Sequence, residues 1–494
     1  MSDLPESPNL PDSPESSRLD AIVKAYDVRG LVPDELDEDT ARALGAAFAD
    51  VVAATAHKPA VVIAHDMRAT SPGLVAAFAD GVTWRGVDVI RVGLASTDGL
   101  YFASGSLDLP GAMFTASHNP AQYNGIKMCH AGARPVGRDT GLADVKTLAA
   151  AYLAEGIPAA EPAGTVTERD LLADYARHLR TLVPLDGVRP MKVVIDAGNG
   201  MAGLTAGAVL GTDADLGDLG LDLVPMYFEL DGTFPNHEAN PLEPKNLIDL
   251  QTTVVAEQAD IGLAFDGDAD RCFVVDERGV SVSPSAITAL VGLRELEKEK
   301  AAGRTATIIH NLITSRAVPE LVEGSGGRAV RTRVGHSFIK AEMAAEDAVF
   351  GGEHSAHYYF RDFWFADTGM LAAMHVLQAL GEADVPLSAL AEIYTPYSAS
   401  GEINSRVADV DAARERVLQA FSDDIEAGVV TVEELDGLTF THWDQTPRWW
   451  FNLRSSNTEP LLRLNVEAQD EDIMIKIRDG VLALVREGEE ATHD

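Results

Sequence analysis

The chain is poor in several features that would otherwise have decided its class. It contains only two cysteines in 494 residues, Cys129 and Cys272, so a disulfide framework is not expected and buried reduced thiols are. It contains no apolar run long enough to span a membrane. Basic residues number 39 against 77 acidic ones, for a formal net charge of -38. This balance argues against a nucleic acid or an anionic membrane as partner.

The N-terminus also lacks the basic and apolar regions of a signal peptide. Residues 1–18 are rich in Pro, Ser, Asp and Glu, a composition that predicts a disordered acidic tail. Together with the scarcity of cysteine, this makes the cytoplasm the expected location. Because the background charge repels anions, any local group of Arg and Lys is informative.

What the chain does contain is an alternation of short apolar strands and helices rich in alanine and leucine. Ala60–Ala64 predicts a buried strand, and Ser71–Trp84 predicts a helix opened by Ser-Pro. Such alternation predicts α/β domains, whereas the order helix, strand, strand, helix near the C-terminus predicts a smaller α+β domain. A chain of this length is expected to hold three or four domains. The predicted limits are 19–165, 166–277, 278–398 and 399–494.

The segment Phe114–Pro120 combines a hydroxyl and an imidazole in one short loop, with an ammonium close behind. Ser117 is a candidate nucleophile or phosphate carrier, and His118 and Lys127 are candidates for handling protons or holding negative charge. Taken alone, the residues favour an ordinary strand-to-helix turn. A role for Ser117 in catalysis is favoured only if other loops supply groups that bind a metal or a phosphate.

A second loop carries three carboxylates at alternate positions, Asp266, Asp268 and Asp270, between two apolar strands. Oxygen ligands converging in a tight turn favour Mg²⁺ or Ca²⁺ over a plain polar hairpin. An EF-hand is rejected because its sixth position is Arg271 rather than Gly and apolar strand follows. An arginine beside a metal also suggests a phosphate nearby.

Three further loops offer polar groups, but taken singly each is explained at least as well as an ordinary turn or strand end. Arg454–Pro460 has the guanidinium, hydroxyl and amide groups of a phosphate cradle. Within Gly351–His357, the side chains at 353, 355 and 357 alternate and would point the same way in an extended segment. Tyr26–Gly30 places Arg29 near a turn, and His336 adds a possible phosphate donor.

One motif points elsewhere. Gly198–Gly203 fits G-x-G-x-x-G after a strand, which is typical of a dinucleotide site. The acidic residue that such a site needs, about 20 positions further on at a strand end, has no clear equivalent. The segment therefore predicts a tight strand-to-helix turn.

Taken together, the motifs resemble the α-D-phosphohexomutases, and among them the bacterial phosphomannomutase/phosphoglucomutase group. The resemblance runs in order over nearly the whole chain after the tail. It rests on A-Y-D-V-R-G, T-A-S-H-N-P with Y-N-G-I-K, D-A-G-N-G-M-A-G, F-P-N-H-E-A-N-P-L, D-G-D-A-D-R, V-G-H-S-F-I-K, G-G-E-H-S-A-H and R-S-S-N-T-E-P. It implies four domains around a central cleft, three of them related α/β domains and the fourth a mobile, smaller α+β domain.

The resemblance also implies a role for each candidate residue. Ser117 would carry a phosphoryl group and, with Asp266, Asp268 and Asp270, hold Mg²⁺. His118 and Lys127 would handle protons beside the transferring group. The remaining roles are sugar hydroxyl recognition by Glu353, Ser355 and His357, a grip on the second phosphate by Arg454, Ser456, Asn457 and Thr458, and contacts to substrate or phosphoserine by Tyr26, Arg29, Arg271 and His336.

The implied activity is the interconversion of mannose 6-phosphate and mannose 1-phosphate through a hexose 1,6-bisphosphate, which also serves as activator. Glucose phosphates are expected as further substrates, and a mainly glucose-directed enzyme is the alternative. Phosphoglucosamine mutase is disfavoured by Tyr26–Val28 and by Thr115. A phosphatase and a non-catalytic sensor are the alternative functions. A second phosphate-binding site at Arg454 counts against the phosphatase. A monomer or weak dimer is expected.

Two departures from the family pattern stand out. In the sugar loop, His354 and Ala356 replace a common Met and Gly, which leaves the preference between mannose and glucose open. Thr97-Asp98 stands where Thr-Pro is common, and we expect this change to affect only a turn.

Overall fold

The structure is a computed structural model that describes residues 14–455 and 461–487. The chain folds as two compact units. The first runs up to Ser281 and also contains His357–Leu387. The second contains Val282–Ala356 and the chain from Ser388 onward.

The first unit begins with a seven-stranded mixed sheet flanked by helices. Its strand order is β1-β5-β4-β2-β3-β7, with β6 paired to β5. Strands β4, β2, β3 and β7 run parallel to one another, and β5 is antiparallel to both β4 and β1. The elements are α1 (Pro14–Ile22), β1 (Asp27–Leu31), α2 (Glu38–Val51), β2 (Ala60–His65), α3 (Ser71–Trp84), β3 (Asp88–Leu94), α4 (Thr97–Leu107), β4 (Gly111–Phe114), β5 (Tyr123–His130), β6 (Arg134–Pro135), α5 (Leu142–Glu155) and β7 (Val166–Glu168).

The register of this sheet brings two loops together. The predicted strand at Ala60 and the predicted helix at Ser71 are both present, as β2 and α3. Since β2 and β4 are parallel with His65 opposite Phe114, both strands end at the same edge of the sheet. The residues that follow β2 therefore lie beside the loop that follows β4.

A second sheet of the first unit carries the carboxylate loop. Within it, β10 is parallel to β8 and antiparallel to β11, and β8 is parallel to β9. The loop joins β10 to β11, so it connects two strands and not two helices. The elements are α6 (Leu172–Leu182), β8 (Met191–Asp196), α7 (Ala202–Val209), β9 (Leu221–Met226), α8 (Ile248–Glu257), β10 (Ile261–Phe265), β11 (Cys272–Asp276) and β12 (Ser281–Val282).

The second unit begins with α/β structure in which β13 is parallel to both β14 and β15. Its elements are α9 (Pro284–Ala301), β13 (Thr307–Asn311), α10 (Ala317–Gly324), β14 (Arg328–Thr332), α11 (His336–Glu346) and β15 (Phe350–Gly352). The chain then returns to the first unit with an antiparallel strand pair and a helix. These are β16 (Tyr358–Phe360), β17 (Ala366–Asp367) and α12 (Gly369–Glu382), followed by α13 (Leu387–Glu392).

The C-terminal part of the second unit is an antiparallel sheet with helices packed against it. Its strand order is β18-β22-β21-β20-β19, and α14 and α16 share an apolar core with the sheet. The elements are β18 (Ser398–Arg406), α14 (Val410–Ala420), α15 (Ser422–Glu426), β19 (Thr431–Glu433), β20 (Leu438–His442), β21 (Trp449–Ser455), β22 (Leu461–Ala468) and α16 (Glu471–Val485). The predicted α/β class with a smaller α+β region at the C-terminus is confirmed.

Both cysteines are buried free thiols within strands, Cys129 in β5 and Cys272 in β11, as the sequence predicted. Among the described residues, no helix is both long enough and apolar enough to cross a membrane.

Candidate active site

Ser117 lies in the loop between β4 and β5 and is almost fully buried. Its backbone adopts a left-handed φ of 50°, a conformation that costs a residue with a Cβ roughly 1–2 kcal/mol. The Ser117 hydroxyl donates to Asp266 Oδ2 at 2.8 Å. The fold therefore joins the serine loop directly to the carboxylate loop, which lies about 150 residues further along the chain.

A buried arginine that the sequence analysis did not single out holds the serine loop in place. Arg68 is only 2% exposed, and all five of its N–H groups are used. Its Nε donates to Asp66 at 3.1 Å, and its two terminal nitrogens donate to the carbonyl oxygens of Ser117 (2.8 Å), Asn119 (2.8 Å), Pro120 (2.9 Å) and Tyr123 (2.9 Å). We infer that these bonds offset the strain at Ser117. One signal was present in the sequence, because Asp66 and Arg68 follow directly on a buried parallel strand.

The backbone of the carboxylate loop packs directly against the backbone of the serine loop. A Cβ on Gly267 would lie 2.4 Å from the Ser117 carbonyl oxygen, so only glycine fits there. Asp266, Asp268 and Asp270 are at most 1% exposed. Each offers an oxygen, and these oxygens lie within 4.8 Å of one another.

Two carboxylate oxygens of this loop have no hydrogen-bond partner among the described residues. They are Asp268 Oδ1 and Asp270 Oδ1, both buried. Buried carboxylate oxygens without donors are costly unless a cation completes the site. An all-oxygen donor set of this kind suits Mg²⁺. The residues present therefore fit the predicted metal.

Two cations face the carboxylates. Lys127 Nζ donates to Asp268 Oδ2 at 2.7 Å and to Asp270 Oδ2 at 2.6 Å, and Arg271 Nη2 donates to Asp266 Oδ2 at 2.7 Å. Burial disfavours the Lys127 ammonium, but the two aspartates outweigh burial and raise the Lys127 pKa well above its usual value. Lys127 is therefore a fixed positive charge.

The charges of this cluster do not cancel. Three carboxylates face two cations, which leaves one negative charge in excess. Burial, opposed by Arg271 and reinforced by Asp270 and Asp268, raises the pKa of Asp266. A divalent cation bound at this cluster would offset the excess negative charge.

His118 is neutral in this environment. Burial, together with the guanidiniums of Arg271 and Arg29, lowers the pKa of His118 to about 2. Arg271 Nη2 lies 2.5 Å from His118 Nδ1, so Nδ1 is the accepting nitrogen. The Ser117 hydroxyl is 3.3 Å from both Nδ1 and Arg271 Nη2.

Other predicted residues of the first unit lie around this cluster. Arg29 donates to Asn119 Oδ1 and to Asp27, both at 2.6 Å, so it belongs to the serine loop. His357 Nε2 lies 3.7 Å from Asp270 Oδ1, and its backbone pairs with that of Arg271. Tyr26 directly precedes β1, whose first residue, Asp27, pairs with Lys127, and Tyr26 is 40% exposed.

The sugar-loop residues of the second unit have their own surroundings. Glu353 is 2% exposed, and its Oε1 accepts from Asn311 Nδ2 and from the Gly335 N–H, both at 3.2 Å. His354 lies 3.1 Å from Ser285 Oγ and lines a cavity of about 210 Å³. Ser355 is half-buried.

The loop of Ser355 ends in a strained residue. Ala356, where the family commonly has glycine, adopts a left-handed φ of 65°. The departure noted in the sequence therefore places a Cβ in a conformation that glycine adopts more readily.

Arg454 lies near the end of β21, opposite Arg463 on β22. It forms an ion pair with Glu402, and Arg463 lies 3.4 Å from the same carboxylate. The buried Nε atoms of both arginines have no hydrogen-bond partner among the described residues. Ser456, Asn457 and Thr458 lie outside the described residues, as does the side chain of His336, whose backbone begins α11.

Two further segments are placed by the structure. Residues 197–201 form the tight turn between β8 and α7, and Ala202 and Gly203 begin the helix, so the predicted strand-to-helix turn is present. The departure at Thr97-Asp98 is not confined to a turn, contrary to our expectation. Both residues are fully buried in the first turn of α4, and Thr97 Oγ1 donates to Asp268 Oδ2 at 2.6 Å.

A serine hydroxyl, three carboxylates and two buried cations, set on α/β sheets, define a site suited to metal-assisted phosphoryl transfer. Most of the chain matches four domain models of one family of such enzymes. Models described as phosphoglucomutase/phosphomannomutase alpha/beta/alpha domains I, II and III match residues 20–152, 173–279 and 283–397, and the model of the C-terminal domain matches residues 402–484. The chain belongs to the phosphoglucomutase/phosphomannomutase family.

Individual relatives agree over nearly their full length. The phosphomannomutase of Salmonella typhimurium is 40% identical over 471 residues, covering 93% of this chain and 97% of the relative. That of Escherichia coli K12 is 39% identical over 464 residues, covering 93% and 97%. The crystal structure of a phosphoglucomutase/phosphomannomutase family protein from Burkholderia thailandensis has a TM-score of 0.80 at 32% identity, covering 96% of this chain and 99% of that chain.

Proposed function

We propose that this chain is a phosphomannomutase, an isomerase that interconverts mannose 6-phosphate and mannose 1-phosphate by intramolecular phosphoryl transfer. Relatives of that name, matched over almost their whole length, support the assignment. Glucose phosphates are proposed as further substrates. The observation that carries the proposal is the buried Ser117 hydroxyl, which faces carboxylates with free oxygens and two fixed cations.

In the proposed cycle, Ser117 is the phosphoryl carrier. A free hydroxyl of the sugar phosphate attacks the phosphorus of phospho-Ser117, and the bond from that phosphorus to Ser117 Oγ breaks. The proton lost by the sugar hydroxyl is balanced by the proton that Ser117 Oγ gains. The product is a hexose 1,6-bisphosphate, which is also the proposed activator. After the bisphosphate turns around, Ser117 accepts its other phosphoryl group.

The first unit supplies charge and position for this transfer. Phosphoryl transfer depends on in-line positioning and on neutralising the charge of the phosphoryl oxygens. Arg271 Nη2, 3.3 Å from Ser117 Oγ, and the charged Lys127 would stabilise that charge. His118, being neutral, can accept a proton only if Arg271 releases its Nδ1.

Asp266, Asp268 and Asp270 would hold Mg²⁺ together with the phosphate on Ser117. When bound there, the ion would neutralise the phosphoryl oxygens and help Ser117 to leave. The two carboxylate oxygens without partners support this assignment.

The remaining roles are proposed from the family pattern and the local charges. Glu353, Ser355 and His357 would hydrogen-bond the sugar hydroxyls, and Arg454, Ser456, Asn457 and Thr458 would hold the phosphate that is not transferred. Tyr26, Arg29 and His336 would contact substrate or phosphoserine. We also propose the predicted domain limits, a cytoplasmic location, and a monomer or weak dimer.

One coupled assay, comparing mannose 1-phosphate and glucose 1-phosphate at equal concentration with Mg²⁺ and a hexose 1,6-bisphosphate, tests the function. We expect turnover of both, with mannose 1-phosphate favoured. Release of free phosphate in place of hexose 6-phosphate would support a phosphatase instead. Binding of sugar phosphate without turnover would support a sensor.

A further inference from the structure

One buried carboxylate close to the metal loop has no part in the mechanism above. Asp98, in the first turn of α4, is 0% exposed. It accepts hydrogen bonds from Tyr175 OH on α6 at 2.7 Å and from Thr368 Oγ1 at 2.6 Å, and a further one from Ser96 Oγ. Thr368 is itself the N-cap of α12. Asp98 therefore ties together the N-termini of α4 and α12 and the side of α6.

The neighbouring residue, Thr97, donates two hydrogen bonds to Asp268, a predicted metal ligand. The Thr97 N–H donates to the Asp268 carbonyl oxygen at 3.0 Å, and Thr97 Oγ1 donates to Asp268 Oδ2 at 2.6 Å. Lys127 donates to that same Oδ2. Both donors thus occupy one oxygen of Asp268, which leaves Oδ1 as the oxygen without a partner.

We propose that Asp98 and Thr97 are positioning residues for the cation site. Asp98 fixes the first turn of α4 through three donors from three chain segments. Thr97, held by that turn, sets the rotation of the Asp268 carboxylate so that Oδ1 faces the cation. The inference rests on the proposed function insofar as it needs Asp268 to be a metal ligand.

A purely structural role would give a different result. Three hydrogen bonds to a buried carboxylate could serve only to join three helices, in which case their loss would lower stability without changing metal affinity. Residues that orient a metal ligand from behind, in contrast, typically change metal affinity by about 10- to 100-fold when replaced. Metal binding, measured without turnover, distinguishes the two.

The decisive experiment is calorimetric titration of the full-length protein with Mg²⁺, repeated with Mn²⁺ by electron paramagnetic resonance. Thr97→Val keeps the shape of the side chain and removes its hydroxyl, whereas Thr97→Ser keeps the hydroxyl. We expect Thr97→Val to weaken Mg²⁺ binding about tenfold and Thr97→Ser to restore it to within about twofold. Ser104→Ala removes another buried hydroxyl from α4, bonded to Leu109 O at 2.6 Å, and should leave metal affinity unchanged.

The role of Asp98 is tested by Asp98→Asn, for which we also expect about tenfold weaker binding. Asp276→Asn is its control, since Asp276 is a buried carboxylate at the opposite end of β11. Unchanged Mg²⁺ affinity in Thr97→Val would overturn the proposal even if the melting temperature falls. Should Asp98→Asn fail to fold, the Thr97 pair decides the question. Absence of Mg²⁺ binding in the unmodified chain would contradict the metal assignment itself and not the positioning role alone.

Discussion

The serine–aspartate cluster of the first unit and the arginine pair of the second unit carry opposite residual charges. In the first, three aspartates face Lys127 and Arg271, which leaves a negative charge and two carboxylate oxygens without a hydrogen-bond partner in the described part of the chain. In the second, Arg454 and Arg463 share the single carboxylate of Glu402, which leaves a positive charge and two N–H groups that likewise have no partner there.

The residual charge and the unpaired groups of each region indicate the charge of the ligand that it binds. Buried hydrogen-bond acceptors without a donor are stabilised by a bound cation, and buried hydrogen-bond donors without an acceptor are stabilised by a bound anion. A protein with a net charge of -38 repels sugar phosphates over most of its surface, so such local groups matter more than the average. We interpret the first region as the site of the chemical step and the second as an anion-binding site.

The largest expected effect comes from removing the carrier itself. Ser117→Ala should lower mutase turnover on the order of 10⁴-fold or more, because the variant lacks the hydroxyl that carries the phosphoryl group. A coupled assay with added hexose 1,6-bisphosphate measures this. The exposed Ser106→Ala is the control. Near-normal turnover of Ser117→Ala would show that the chemistry does not pass through this serine.

The next effect concerns the excess negative charge of the first region. Asp268→Asn removes the charge of a predicted ligand, and we expect kcat to fall on the order of 10²- to 10³-fold. The Mg²⁺ concentration giving half-maximal rate should rise in parallel. Asp276→Asn, which changes a buried carboxylate away from the cluster, should alter neither. An Asp268→Asn enzyme with unchanged Mg²⁺ dependence would contradict the metal assignment.

The support of the serine loop can be tested apart from its chemistry. Arg68→Lys keeps the positive charge but cannot reach Asp66 and four carbonyl oxygens at once, so the free energy of unfolding should fall by about 3 kcal/mol. Urea unfolding measures it. Arg85→Lys is the control, because that arginine pairs with Asp50 at a partly exposed site and should cost less than about 1 kcal/mol. Equal losses in both variants would argue against the clamp.

A binding role predicts a different kinetic signature for the second region. Arg454→Gln should raise KM for mannose 1-phosphate about tenfold while changing kcat little, since a charge-assisted hydrogen bond contributes about 1.5–3 kcal/mol. Arg328→Gln is the control, because the Arg328 side chain on β14 of the same unit is 58% exposed. A large fall in kcat at unchanged KM would contradict the binding role, because it would mean that Arg454 acts in the chemical step.

The smallest expected effect concerns the backbone of the sugar loop. Ala356→Gly relieves the left-handed strain, offset in part by the greater freedom of glycine in the unfolded chain. The net gain should be about 0.5–1 kcal/mol in the free energy of unfolding. Ala379→Gly within α12 should instead lower it by a similar amount. Destabilisation by Ala356→Gly would mean that the methyl group packs well enough to outweigh its strain.

Much of this protein follows from the sequence alone. The helix at Ser71–Trp84, the strand at Ala60, the loop between β10 and β11 and the α/β class depend on neighbours a few residues apart, and local patterns report such neighbours well. The serine, aspartate and arginine motifs could be listed for the same reason.

Which distant groups meet depends on the tertiary fold. Arg68 gained its role because β2 and β4 end side by side, and Asp98 gained its role because α4, α6 and α12 converge on it. The excess charge of each cluster, the pKa of Asp266 and the strain at Ala356 arise from burial and from partners far apart in the chain. Such effects depend on sheet order and helix packing, which a local pattern does not contain.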